Sequence, residues 1–206
     1  KDGLWQLQTY DLRDYGIGKH KNVDDTPAGG GAGMVLRADV LEAAINDARA
    51  DAKGVMPILY LSPRGKPMDQ AMMRGLAANT DGVTLLCGRF EGVDERILDH
   101  FGIQEISLGD FVMTGGELAA QALIDATVRL LPGVLGNAAS AIEESFSNGL
   151  LEHPQYTKPS LWNDRPIPEV LQSGNHAKID AWRRDMSEKI TQQRRPDLWT
   201  KLQTKK

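Results

Sequence analysis

The sequence predicts an α/β fold with a mainly parallel sheet that is covered by helices on both faces. Short apolar runs that suit buried strands alternate with amphipathic stretches of helical period between residues 38 and 130. Two of these runs lead into glycine-rich segments, 85–92 and 107–117, and a third leads into Ser62-Pro63. Because ligands of open α/β sheets lie outside the carboxyl ends of the strands, we expect these segments to form one pocket.

The elements of the first two thirds of the chain can be assigned in order. The run 4–10 alternates and is predicted to be a strand, whereas 11–33 is polar, rich in glycine and predicted to be a long loop. Further strands are predicted over 57–61, 83–87 and 105–108. Helices are predicted over 38–50, 69–78, 94–100 and 117–130. The first helix should bury one face, made of Val40, Leu41, Ala44, Ile45 and Ala48.

After Gly136 the composition changes. Residues 137–149 are small and polar, 151–174 contain four prolines, and helices are predicted at 179–193 and 197–202. We therefore predict a first domain over 1–135, a flexible linker over 136–149 and a small helical domain over 150–206.

Composition narrows the class of protein. The chain has 206 residues and a balanced composition, which predicts a soluble, cytoplasmic globular protein without a membrane span. Its one cysteine, Cys87, lies in an apolar run and is expected to pack as a small hydrophobe, and it leaves no disulfide within the chain. The four histidines show no ligand spacing, so no metal site is predicted: His20, His100, His153 and His176.

Charge is distributed unevenly. Residues 178–206 carry nine Lys or Arg against four acids, a net of +5, which leaves −9 on the rest of a chain whose total is −4. A basic C-terminal segment can bind a polyanion such as RNA, or it can be a solvated helix face. Charge alone does not separate these two interpretations.

The predicted pocket does not match the common nucleotide-binding motifs. The chain lacks GxGxxG after its first strand and lacks GxxxxGK[ST], which argues against a dinucleotide-binding Rossmann domain and a P-loop nucleotide triphosphatase. Main-chain groups beside Leu108, Gly109, Phe111 and Met113 would instead suit an adenine ring, which takes apolar contact and a few hydrogen bonds. Each glycine alone is better explained as a turn former.

Long strings of the sequence resemble the bacterial tRNA (guanine-37-N1)-methyltransferases of the SPOUT class. These strings lie at 18–27, 29–34, 60–63, 87–96, 109–118, 131–136 and 153–159. The resemblance implies an α/β domain with a deep trefoil knot, a homodimer, S-adenosylmethionine as methyl donor, an assisting Mg²⁺ ion and tRNA as substrate. It also implies a further N-terminal strand ahead of Leu4, so this chain is expected to lack a sheet element.

The same resemblance assigns the residues that hold S-adenosylmethionine. One of them, Phe111, stands where many relatives have Tyr, which keeps the ring and removes a hydroxyl. The assigned positions are Tyr60, Leu61, Ser62, Pro63, Gly88, Glu91, Ser107, Leu108, Gly109, Phe111, Met113, Gly115 and Gly116.

Methylation of guanine N1 needs a base for the N1 proton and a cation for the charge that gathers on O6. The resemblance places Arg129 as the cation and Glu144 where relatives usually have the Asp that acts as base. Glu143 is the alternative base, and both carboxylates could instead be solvated groups of the linker. Arg129 could instead pair with Asp125 on its own helix.

Two segments are implied to contact RNA. The loop 29–34 is expected to be mobile and close to the substrate, or else a plain cluster of turns. The C-terminal helices resemble the part that grips the anticodon arm, with Arg183, Arg184, Arg194 and Arg195. Two rival functions are a knotted methyltransferase acting on ribosomal RNA and an RNA-binding module without catalysis.

Overall fold

The computed structural model describes residues 3–52, 54, 56–136 and 144–204, and it divides into two compact units, Lys1–Gly136 and Asn137–Lys206. The helices of the first unit are a 3₁₀ helix at Leu12–Tyr15, α1 (Ala38–Asp51), α2 (Gln70–Ala78), α3 (Glu95–Phe101) and α4 (Glu117–Val128). Its strands are β1 (Asp24–Asp25), β2 (Val35–Leu36), β3 (Ile58–Pro67), β4 (Thr84–Cys87) and β5 (Gln104–Ser107).

Strands β3, β4 and β5 form a parallel sheet with β3 in the centre, in the order β4-β3-β5. Successive side chains of a strand point to opposite faces. Accordingly, Ile58 and Tyr60 pack on one face with residues of α1 and α3, whereas Leu59 and Leu61 pack on the other with residues of α2 and α4. The predicted α/β class with a parallel sheet between helices is confirmed.

The helices begin where the sequence supplies caps. The carboxylate of Asp69 accepts a hydrogen bond from Met72 N at 2.8 Å at the start of α2, and Asp94 caps α3 through Arg96 N at 3.0 Å. All five side chains predicted to be buried in α1 are buried. Helix α4 ends at Val128, two residues earlier than predicted, because turns of the tighter i to i−3 type follow it ahead of Pro132.

The N-terminal segment 4–10 is not a strand, so that prediction is wrong. A strand needs a partner for its main-chain groups, and the structure gives this segment no ladder within the described residues. Side chains attach it to α1 instead: Gln8 Nε2 and Tyr10 Oη donate to Asp51 Oδ2 at 2.9 and 2.8 Å.

Strand β3 is longer than predicted and irregular. Both Leu61 and Lys66 stand opposite Ile106 of β5, so the chain leaves the ladder over 62–65 and then rejoins it. Beyond this excursion Met68 N donates to Ser107 O at 2.8 Å. Residues 62–65 therefore come directly after the regular part of the central strand, at its carboxyl end.

The second unit combines helices with a short hairpin. Its elements are β6 (Leu161–Trp162), β7 (Arg165–Pro166), α5 (Glu169–Gln172), α6 (His176–Arg194) and α7 (Pro196–Gln203). The two predicted helices are thus present, and the hairpin was not predicted. Across the described part of the chain, every helix is too short or too polar to cross a bilayer.

Candidate active site

The three predicted strand ends surround one cleft in the first unit. It is lined by residues 60–64, 88–93 and 106–116 together with Ala119, apart from Asp110, and it spans about 1010 Å³ when its open mouth is included. All thirteen residues predicted to hold the methyl donor lie in this lining. The volume enclosed between its walls is about 280 Å³, near the lower end of the about 300–1,000 Å³ that is common for ligand pockets.

Main-chain contacts join two walls of the cleft. Gly116 N donates to Gly88 O at 3.0 Å, and Arg89 forms an antiparallel bridge with Gly115. A Cβ on Gly116 would lie 2.9 Å from Cys87 Cα, closer than such atoms approach, and only 3.1 Å from Gly88 N. Glycine at 116 is therefore what allows the two walls to touch.

Tyr60 forms the floor beside Gly88. Its side chain is only 6% exposed, and a Cβ on Gly88 would lie 2.7 Å from the ring and 2.8 Å from the hydroxyl. Burial raises the pKa of Tyr60, and the charge of Glu105 adds to the increase. Tyr60 therefore carries a neutral hydroxyl at physiological pH.

The wall 107–116 presents apolar side chains to solvent. Ser107 is buried and its Oγ accepts from Gly109 N at 3.1 Å, while Phe111 N donates to Gly109 O at 2.9 Å, so the turn is held by local bonds. Beyond it Phe111 is 54% and Val112 is 83% exposed. Exposed apolar side chains at a cleft suit an aromatic or aliphatic part of a ligand.

Ion pairs tie the cleft segments to neighbouring elements. Arg89 Nη2 lies 2.8 Å from Glu117 Oε1 at the start of α4. Arg64, in the β3 excursion, contacts Glu95 at 2.9 Å and Glu105 at 3.0 Å. These side chains are largely exposed, so the pairs contribute orientation more than stability.

Comparisons with known proteins identify the family of this chain. Residues 1–201 match the family described as tRNA (Guanine-1)-methyltransferase TrmD. The chain belongs to this family. A tRNA (guanine-N(1)-)-methyltransferase of Ruegeria sp. (strain TM1040) is 72% identical over 206 residues, which cover 100% of this chain and 84% of that protein.

Two further relatives of the TrmD family carry the same name. The protein of Ruegeria pomeroyi is 71% identical over 206 residues, with 100% of this chain and 84% of the relative covered. That of Rhodopseudomonas palustris (strain BisB18) is 59% identical over 197 residues, covering 96% of this chain and 77% of the relative.

The predicted catalytic residues lie in different units. Arg129 is half-buried at the C-cap of α4 in the first unit, where its N–H donates to Asp125 O at 3.2 Å. Glu144 is half-buried in the second unit, and its carbonyl accepts from Ser147 N at 3.2 Å in a turn. Glu143, the alternative base, lies outside the described residues, as does most of the predicted linker.

The glycine-rich loop 29–34 reaches one wall of the cleft. Glu91, which lines the cleft, donates its N–H to Met34 O at 3.0 Å, and Leu36 N donates to Gly92 O at 2.9 Å. The expectation that this loop lies near the substrate site gains support from these bonds.

Several lining residues were not predicted. Arg64, Arg89, Phe90 and Val112 all lie inside or next to the quoted motifs, so taking each motif as a continuous run would have included them. In the part of the chain that the structure describes, no three His, Cys, Asp or Glu side chains gather as metal ligands would.

Proposed function

We propose that this chain is an S-adenosylmethionine-dependent methyltransferase that methylates N1 of guanine 37 in tRNA. The observation that carries the proposal is the convergence of all thirteen predicted donor-binding residues on one cleft, in a chain of the TrmD family. The names of the relatives supply the tRNA and the N1 of guanine. Position 37 and the methyl donor come from the resemblance between motifs.

The cleft fits S-adenosylmethionine by its chemistry. Exposed Leu108 and Phe111 offer apolar contact for an adenine ring, and Gly88 and Gly116 contribute main chain to the lining. Glu91 adds a carboxylate that suits a cationic ligand. When bound, the donor supplies a methyl group on a positively charged sulfur.

Two side chains complete the proposed chemistry. The Glu144 carboxylate takes the proton from guanine N1, and the freed electron pair on N1 forms the bond to the methyl carbon as the bond from sulfur to carbon breaks. The Arg129 guanidinium stabilises the negative charge that gathers on O6. The products are 1-methylguanine, the neutral thioether and a protonated Glu144.

The finer features are part of the same proposal. A trefoil knot in this unit is part of the proposal through the resemblance between motifs. Exposed apolar side chains around the cleft, Phe90, Val112 and Leu118, support a homodimer. A cytoplasmic location, the linker over 136–149 and the tRNA-binding domain over 150–206 belong to it as well. Mg²⁺ is expected only from the resemblance, and no step above uses it.

Transfer of label from S-adenosylmethionine tests the proposal. Two tRNA transcripts that differ only in having G or A at position 37 are incubated with the protein and labelled donor. Incorporation into the G37 transcript alone, with 1-methylguanosine as the labelled nucleoside after digestion, is the expected result. Equal label in both transcripts, or binding of the donor without transfer to either transcript, would overturn it.

A further inference from the structure

Arg64 lies in the excursion of β3 and lines the cleft, although it has no part in the proposed chemistry. Its main-chain N–H donates to Ser62 Oγ at 3.2 Å, so a local hydrogen bond shapes the excursion 62–65. The next residue, Gly65, packs against the main chain of β5, because a Cβ there would lie 2.5 Å from Ile106 Cα, closer than such atoms approach. Glycine at 65 therefore lets the excursion rest on β5, and this contact sets the position from which the Arg64 side chain extends.

The guanidinium of Arg64 bridges two carboxylates that belong to different elements. Its Nε donates to Glu105 Oε1 at 3.0 Å, and its Nη2 donates to Glu95 Oε2 at 2.9 Å. Glu105 lies in β5, whereas Glu95 is the first residue of α3. The two acids are 41 and 31 residues away from Arg64 in the sequence, so the fold alone brings the three side chains together. A guanidinium suits this role because its N–H donors point in fixed directions within one plane.

Each member of this bridge is attached to a different wall of the cleft. The first, second and third walls are residues 60–64, 88–93 and 106–116. Arg64 is the last residue of the first wall, Glu95 follows the second wall by two residues, and Glu105 directly precedes the third. One guanidinium thus connects all three walls.

The bridge also lies close to Tyr60, the floor of the cleft. Tyr60 pairs with Glu105 in the ladder between β3 and β5. Burial raises the pKa of Tyr60, the charge of Glu105 adds to the increase, and the charge of Arg64 opposes it. The Glu105 side chain is 24% exposed, whereas those of Arg64 and Glu95 are 58% and 61% exposed. Pairs with such exposed members add little to the free energy of folding, so an effect on the cleft can be measured apart from stability.

Arg64 can act on the donor in two ways, and the two have opposite signs. S-adenosylmethionine carries a net positive charge, because its sulfonium and ammonium groups outweigh its one carboxylate. A guanidinium in the lining repels such a ligand, so its removal would strengthen binding if charge alone mattered. If the bridge instead holds the walls in the arrangement that binds the donor, its removal lowers the fraction of protein in that arrangement and weakens binding by the same factor.

We propose that Arg64 is a positioning residue, which holds the three walls of the cleft around S-adenosylmethionine through Glu95 and Glu105. The inference rests on the proposed function, since it concerns how the cleft holds the methyl donor. Loss of the bridge should therefore weaken donor binding even though it removes a charge that repels the donor.

Calorimetric titration of the whole chain with S-adenosylmethionine tests the inference. Arg64→Met keeps the apolar stem without the guanidinium, and Arg64→Lys keeps the charge without the planar fork, so both should bind the donor about fivefold more weakly. Glu105→Gln should show a similar loss. The double variant Arg64→Met with Glu105→Gln should lose no more than either single variant, because each change breaks the same bridge.

Arg96→Met is the matched control. Arg96 is an 83% exposed cation of α3 that pairs with nearby Asp94 at 2.6 Å, and it lies outside the lining of the cleft. Its replacement removes the same charge without breaking a link between walls. Donor affinity in Arg96→Met should equal that of the wild type.

Steady-state methylation of the G37 transcript gives a second readout. In Arg64→Met the KM for the donor should rise about fivefold while kcat stays within about twofold, because bound donor itself holds the walls in place. Circular dichroism checks that each variant is folded.

Donor affinity equal to or tighter than that of the wild type in a folded Arg64→Met protein would overturn the inference. An equal loss in Arg96→Met would do the same, as would a fall in kcat with an unchanged KM. The proposed function fails separately, if the wild-type protein binds the donor but transfers no methyl group to tRNA.

Discussion

Gly88 is the residue at which the cleft depends most directly on the absence of a side chain. Tyr60 is buried against it, and the space that a Cβ would need is occupied by the ring and the hydroxyl. Because the core packs against Tyr60 on its own face of the sheet, the ring can give way only toward the cleft.

Gly88→Ala should therefore displace Tyr60 and weaken S-adenosylmethionine binding by at least about tenfold, the equivalent of 1.4 kcal/mol. The control is Gly75→Ala in the middle of α2, where an added Cβ meets nothing within 4 Å. That change should leave binding unaltered and stabilise the protein by about 0.5–1 kcal/mol. Calorimetric titration and urea unfolding measure the two effects, and unchanged binding in Gly88→Ala would contradict this account of the cleft.

Glu144 is the proposed base, and its removal should affect chemistry without affecting donor binding. Glu144→Gln should lower the rate of methyl transfer by about 10²–10⁴-fold, the usual contribution of a positioned base. Glu144→Asp, which introduces the residue expected at this position from the resemblance, should retain a substantial rate. Single-turnover kinetics measure both, and full activity in Glu144→Gln would remove Glu144 from the mechanism.

Cys87 lies half-buried in the core beneath the cleft, and burial raises the pKa of its thiol to about 11, with a smaller contribution from the charge of Glu117. In the unfolded chain the thiol titrates near its ordinary value of 9.0. The folded protein therefore holds a proton that the unfolded chain loses between pH 9 and 11, so Cys87 lowers stability as the pH rises through this range.

Comparison with Cys87→Ser isolates this effect, because serine does not titrate there. The free energy of unfolding of the wild type should fall relative to that of the variant as the pH rises from 8 to 11. At pH 8 the native thiol should also react slowly with an aromatic disulfide reagent, and reaction as fast as in the urea-unfolded chain would contradict the shift.

At the scale of elements, Thr191 joins the turn 144–152 to α6. Its hydroxyl is fully buried, donates to Ser187 O at 2.7 Å and accepts from Leu151 N. Without it a main-chain N–H would be left inside the protein with no acceptor, which costs more than an exposed hydrogen bond contributes.

Thr191→Val should thus destabilise the second unit by about 1–3 kcal/mol, the cost of an unsatisfied buried polar group. Thr200→Val on α7 is the matched control, because Thr200 is exposed and its hydroxyl donates only to Pro196 O of its own helix. Amide exchange at Leu151, read by NMR, should accelerate in the first variant alone. Slow exchange there in Thr191→Val would show that another group accepts from this amide.

Sequence patterns predicted the elements that are determined by interactions between residues close together in the chain. The buried face of α1 follows from its spacing, and Asp69 and Asp94 mark the helix starts. Strand pairing is not local, which is why the alternating segment 4–10 was misassigned. The hairpin β6–β7 was not predicted because each of its strands has only two residues. Its turn residues, Asn163 and Asp164, are both at positive φ, and they are of the kind that such a hairpin requires.

The candidate site could be predicted only in part from the sequence. The strand ends predicted one pocket, and the resemblance assigned the thirteen residues, which lie at strand ends that one sheet edge brings together. Within the described residues of 178–204, Arg194 forms no ion pair with an acid, and this was harder to predict, because it depends on which neighbouring cations pair with the acids of the segment. The spacings of Arg184 with Glu188 and of Asp185 with Lys189 are typical of helical pairs, whereas Arg195 with Asp197 depends on the local turn geometry.

For the whole molecule, the cleft belongs to the first unit alone, so the donor should stabilise that unit selectively. At a donor concentration of about 100 times its Kd, linkage gives about 2.7 kcal/mol of added stability. Hydrogen exchange of core amides in β3 and β4 should slow about 100-fold, whereas amides of α6 should change much less. Protection confined to α6 would place the donor in the second unit instead.

The contact between Gly88 and Gly116 bears on inhibitor resistance. A compound that fills the cleft meets main chain there, and any side chain introduced at either position to block it would also push Tyr60 aside or separate the two walls. Substitutions that escape inhibition are therefore expected at exposed side chains of the lining that are not assigned to the donor, such as Val112. An inhibitor designed around the backbone of these two walls leaves few tolerated routes of escape.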